Sequence, residues 1–190
     1  MQGLSSTTEE VRELSLPYSV AVRPPPGDVG VDLEVVGDLA AVARRNKQAV
    51  IECALAIEAN LERLISYYFF GESHEKKDAF ANLILHSDWC TFAAKRKLVV
   101  HIINERELCE GAEKNEVDTL LRDVMRFRNA FTHGRFITDG TTFRLKYFEG
   151  QSRIDDLTDE YLSRVEGRLL AAHNKTDWLI AELEEHPRPG

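Results

Sequence analysis

Lys114-Asn115-Glu116-Val117-Asp118-Thr119-Leu120-Leu121-Arg122-Asp123-Val124-Met125-Arg126-Phe127-Arg128-Asn129-Ala130-Phe131-Thr132-His133-Gly134 is the stretch on which the fold turns. Val117, Leu120, Leu121, Val124 and Phe131 stand at the spacing that gathers apolar side chains on one face of an α-helix. Gly134 follows at once and marks the helix end. Beyond it, Arg135-Phe136-Ile137-Thr138, the pair Asp139-Gly140 and Thr142-Phe143-Arg144-Leu145-Lys146-Tyr147-Phe148 alternate apolar and polar residues around a turn. That pattern predicts a small β-hairpin directly after the helix.

The same reading extends outward in both directions. Val50, Ala54, Ile57, Leu61, Leu64, Ile65 and Phe69 predict a long helix from about Val36 to Phe70, stopped by Gly71. Ser73-His74-Glu75-Lys76 opens a shorter helix through about His86. Ser87-Asp88 then offers a cap for another, which carries Trp89, Phe92, Val99, Ile102 and Ile103 inward. On the C-terminal side, Leu157-Thr158-Asp159-Glu160 opens a last helix whose buried stripe is Tyr161, Leu162, Val165, Leu169, Ala172, Leu179 and Leu183. Residues 1–32 contain Leu16-Pro17 and Pro24-Pro25-Pro26-Gly27-Asp28, which cannot continue a helix. They predict an irregular arm with one short extended piece at Tyr18–Val22. The expected architecture is mainly all-α: about five helices in a bundle over residues 33–185, a β-hairpin after the fourth, and a frayed tail over 186–190.

Composition narrows the function. A chain of 190 residues with 43% apolar content has enough material for a core. A formal net charge of −8 argues against a protein that coats nucleic acid, so any such contact must be local. Cys53, Cys90 and Cys109 are odd in number and lie too far apart for a CxxC pair, which predicts reduced, buried thiols with neither disulfide framework nor zinc site. Met1–Glu10 lacks the basic and apolar regions of a signal peptide, and no stretch reaches the length of a membrane span. The expected location is the cytoplasm, with no membrane partner.

One constellation concentrates chemistry: Arg128-Asn129, three residues, then His133. Histidine gains and loses a proton near neutral pH, arginine grips phosphate oxygens in two places, and asparagine adds a neutral donor and acceptor. Five residues at about 100° each place Arg128 and His133 roughly 140° apart around one helix. They converge on one target only if the helix loosens at its end, or if a second copy contributes its own pair across a two-fold axis.

Arg128-Asn129-Ala130-Phe131-Thr132-His133 resembles the motif of the HEPN superfamily, an arginine followed after four to six residues by a histidine. The resemblance covers about residues 37–183: the long first helix, Phe92-Ala93-Ala94-Lys95-Arg96-Lys97-Leu98 in a middle helix, the motif helix, a hairpin and a closing helix are similar to HEPN bundles of the mannitol-operon-repressor kind. It implies a homodimer in which two motifs face one cleft and, in the active members, a metal-independent endoribonuclease of a toxin or defence system, with RNA as substrate and an antitoxin or other protein as partner. His133 would then act as acid or base, Arg128 would stabilise the phosphorane, and Asn129 would orient the phosphate. No cofactor is required. The sequence departs from the toxin members, which often carry a Tyr shortly after the His, where Gly134 and Arg135 stand here. The alternative is a non-catalytic regulatory module that keeps the fold and binds a protein or a nucleotide.

Other residues take their reading from this one. Lys95, Arg96, Lys97, Arg122, Arg126, Arg135 and Arg144 are candidates for a basic rim, with Lys95, Arg96, Arg126 and Arg135 taken as the phosphate-binding set. The bland reading is a solvated helix face. Glu58 neighbours the stripe of the first helix and is the carboxylate that could reach inward to support the site; the bland reading is that it only borders solvent. The bland reading of Arg128 and His133 themselves is a structural helix end, with Arg128 on a buried carboxylate and His133 capping carbonyls. His74, His86, His101 and His173 show no ligand spacing, no nucleophile-elbow sequence surrounds any serine, and the aromatic run Tyr67-Tyr68-Phe69-Phe70 reads as core or dimer packing.

Overall fold

The computed structural model describes residues 33–72, 75–138 and 143–186. The arm over 1–32, Ser73 and His74, the Asp139-Gly140 turn and the tail from Pro187 lie outside them. The elements run α1 (Leu33–Phe70), α2 (Lys77–Phe80), a π turn (Ala81–Leu85), α3 (Phe92–Arg106), α4 (Gly111–His133), β1 (Arg135–Thr138), β2 (Phe143–Glu149), β3 (Gln151–Asp156) and α5 (Asp159–Glu185). The class is mainly all-α, as the periodicities predict.

Two compact units emerge among the described residues. One holds those up to Glu52 together with Phe127–Glu166, the other Cys53–Arg126 together with those from Gly167 on. In the first, Val50, Phe127, Ala130, Phe131, Leu145, Leu162 and Val165 are buried. Phe131 meets Phe136 edge-on at 6.2 Å, a geometry that aromatic quadrupoles favour. In the second, the stripe Ala54, Ile57, Leu61, Leu64 and Ile65 of α1 is fully buried, as are Val99, Val124, Leu169 and Leu179. Each such side chain contributes about 1.5–3 kcal/mol by leaving water, so each unit is stabilised by its own buried stripes.

The predicted hairpin is a three-stranded antiparallel sheet in the order β1-β2-β3. The third strand escaped the pattern because Gln151–Asp156 carries only Ile154 as an apolar residue and is exposed along nearly its whole length. Gly150, at φ 68°, makes the tight turn that lets Glu149 pair with Gln151. Trp89 was expected inside and is 65% exposed. It precedes the true cap of α3, Thr91, whose hydroxyl accepts from Ala94 N, so it never joins the helix's apolar face. Phe69 also turns outward, whereas Tyr68 beside it is buried. Gly71 ends α1 at φ 69°, the left-handed conformation that glycine adopts without strain.

Gly134 departs from the reading of its type. Its φ is not positive; the reason for glycine is space. A Cβ there would run into the Ala130 carbonyl oxygen and come within 2.6 Å of Leu145 Cδ1. The last turn of α4 and the middle of β2 therefore approach each other over a residue that has no side chain. The α4 end is held a second way: Lys47 Nζ donates to the Thr132 carbonyl oxygen at 3.1 Å, occupying one of the carbonyls that a helix terminus leaves unpaired.

Candidate functional site

Strand alternation sorts the sheet into two faces. Phe136, Leu145, Asp155 and their neighbours lie on the covered face, where Tyr147 Oη donates to Asp155 Oδ2 at 3.0 Å. Burial, and then the bond to Asp155, push the Tyr147 hydroxyl up to about 12. Tyr161, more deeply buried beside the same carboxylate, is pushed higher. The other face carries Arg135 and Ile137 from β1, Arg144, Lys146 and Phe148 from β2, and Ser152, Ile154 and Asp156 from β3.

His133 ends α4 exposed to solvent and opens on a depression of about 380 Å³, lined by His133, Arg135, Ile137, Lys146, Phe148 and Ser152 with Tyr147. Arg135 and Lys146 are paired directly across the strands, and both are exposed. No carboxylate among the described residues forms an ion pair with either. At the other end of the face, Arg144 Nε meets Asp156 Oδ1 at 2.9 Å, which neutralises that cation. The depression is thus positive at the His133 end. An imidazole, two cations and an apolar floor suit an anionic ligand that also offers an apolar surface.

The remaining predicted residues lie elsewhere. Arg128 is half-buried and Asn129 exposed on α4, and neither lines the depression. Lys95 is no rim residue: it is 4% exposed, with Nζ 2.7 Å from Glu58 Oε1 and 2.5 Å from Glu62 Oε1. Burial acts to lower the Lys95 pKa, but the hydrogen bonds its ammonium donates to Glu58 and Glu62 outweigh it and the net shift is upward. Glu58 does reach inward, and this lysine is one of its partners. Arg96 is paired with Asp118, which also binds Arg122, and Arg126 sits 3.1 Å from Asp123. Of the proposed phosphate-binding set, Arg135 alone faces solvent without such a carboxylate among the described residues.

Set against protein families, curated proteins and solved structures, the chain matches none of them.

Lys146, Phe148 and Ser152 did not enter the sequence-based site, although the alternation of β2 already places Arg144, Lys146 and Phe148 on one face. Cys53, Cys90 and Cys109 are free and buried, and burial pushes the Cys53 thiol up to about 11, far from a reactive thiolate. His86 meets Glu62 at 3.0 Å, His101 meets Glu105 at 3.1 Å and His173 meets Asp177 at 3.1 Å. Among the described residues, no group of three or more His, Cys, Asp or Glu side chains is placed to hold a metal ion, and no helix is long and apolar enough to cross a membrane.

Proposed function

We propose that this chain handles RNA and cleaves it without a metal, with His133 as the proton-transferring group and Arg128, Asn129 and Arg135 as phosphate contacts. The observation that carries the reading is the exposed His133 at the end of α4, sharing one depression with Arg135 and Lys146. The resemblance to the HEPN motif supports the same assignment. In the reaction, His133 takes the proton of a ribose 2′-hydroxyl while that oxygen attacks the adjacent phosphorus. The O2′–P bond forms, the P–O5′ bond breaks, and the leaving 5′-oxygen takes a proton from an imidazolium or from water. Arg128 and His133 point about 140° apart around α4, so the reading calls for a homodimer in which the arginine of one copy serves the histidine of the other. A non-catalytic regulatory module that binds a protein or a nucleotide is the competing reading, favoured by the absence of Arg128 and Asn129 from the depression's lining.

Cleavage of a mixed RNA in EDTA tests the proposal. Wild type should cut, and His133→Ala and Arg128→Ala, shown to be folded by circular dichroism, should each lose at least about a hundredfold in rate. Absence of cleavage at high enzyme concentration overturns the catalytic reading in favour of the regulatory module.

A further inference from the structure

The outward face of the sheet combines three features that a merely solvated strand surface lacks. The first is exposed apolar area. Ile137, Phe148 and Ile154 are 37%, 78% and 54% exposed, and the register places all three on this one face. Isolated exposed apolar residues are ordinary, but three converging on one small sheet are a patch.

The second is charge held against its own stability. Arg135 and Lys146 oppose each other across an antiparallel pair, an arrangement that repels by roughly 0.2–1 kcal/mol. In a chain of net charge −8, carboxylates are abundant, yet none among the described residues forms an ion pair with these two cations. An incoming anion would relieve the repulsion. The third is position, because the cation pair and Phe148 line the same depression as His133.

We propose that this face is a platform for single-stranded RNA, with Phe148 stacking on a base and Arg135 and Lys146 gripping the phosphates that flank it. The assignment rests on the RNA reading of the His133 site and extends it from cleavage to substrate recognition. A phenyl ring this open stacks on a base only if that base is not already stacked in a duplex, which selects single strands. A second copy is the weaker occupant: across a two-fold axis this patch would meet itself, and the carboxylate it could offer Arg135 and Lys146, Asp156, is already paired with Arg144.

Fluorescence anisotropy with a short, labelled RNA, 2′-O-methylated so that no 2′-hydroxyl can attack, separates recognition from cleavage. Phe148→Ala and Lys146→Glu should each weaken binding by about tenfold, and Lys146→Glu should also flatten the dependence on salt by about one unit of slope or more. Both positions are exposed, so melting temperatures near that of wild type should accompany the losses. A duplex of the same sequence should bind more weakly than the single strand. Unchanged affinity in both variants, or equal affinity for the duplex, overturns the platform. So does a wild-type dimer that Phe148→Glu converts to monomer with no effect on RNA, which assigns the face to a second copy. Cleavage by wild type with unaltered binding in Phe148→Ala sinks the platform alone, whereas binding lost as expected without any cleavage sinks the nuclease alone.

Discussion

Lys95 and Lys146 are the same residue type, each within two positions of an arginine, and the structure treats them in opposite ways. Lys95 is sealed, with Glu58 and Glu62 both bonded to its Nζ. Lys146 is exposed and faces Arg135, with no described carboxylate paired to it. The difference lies in the neighbouring element. Glu58 and Glu62 are four residues apart on α1 and so stack on one helix face, where two carboxylates meet one ammonium. Across β2, the register delivers Arg135 on one side of Lys146 and Ile154 on the other. A cluster of basic letters therefore says little about surface potential until the partner across the fold is known.

The largest change should come from breaking the sealed cation. Lys95→Met removes the ammonium that Glu58 and Glu62 share and should cost about 4 kcal/mol in urea denaturation. A loss below about 1 kcal/mol would mean that the lysine is not the centre of that cluster. Because its pKa is raised, the contribution of Lys95 is complete below about pH 10 and fades as pH climbs past the folded value. Next comes the floor beneath the open cations. Gly134→Ala forces the α4 end away from β2 and should cost about 3 kcal/mol, read as a lowered denaturation midpoint.

Tyr147→Phe should cost about 1 kcal/mol at neutral pH through the lost bond to Asp155. The Tyr147 hydroxyl titrates higher in the folded state than the usual value near 10, so its contribution is present below about pH 10 and lost as pH rises toward about 12. Stability of the Phe variant should fall less steeply across that window, which a series of alkaline melts would reveal. The smallest effect has the opposite sign. Arg135→Glu turns a repelling cross-strand pair into an attracting one and should raise stability by about 0.5 kcal/mol. A decrease instead would show that Arg135 is stabilised by contacts other than those of the sheet face.

These contrasts also explain what the sequence could carry. The helices were legible because burial on one face writes a period of 3.6 into the letters, as in Ala54, Ile57, Leu61, Leu64 and Ile65. The α4 end was legible from Gly134, although the glycine serves close approach and not a left-handed turn. Strand β3 was not, because an exposed edge strand buries almost nothing and so leaves no alternation to read. Trp89 is apolar but stands before the cap at Thr91, so the helical period does not govern where its side chain lies. At the site, the helical letters Arg128-Asn129-Ala130-Phe131-Thr132-His133 stood out as a motif, but the sheet residues beside His133 gain meaning only through register. Lys95, Arg96 and Arg126 looked like surface cations because their carboxylate partners, Glu58, Glu62, Asp118 and Asp123, are set by tertiary packing or by helix geometry that a charge count ignores.

The burial of all three cysteines makes the chain a quiet background for labelling chemistry. Maleimides react with thiolates they can reach, and Cys53, Cys90 and Cys109 offer neither access nor a lowered pKa. A cysteine introduced at Phe148 would therefore take up a fluorophore selectively, without first stripping the native thiols, and would report occupancy of the sheet face directly.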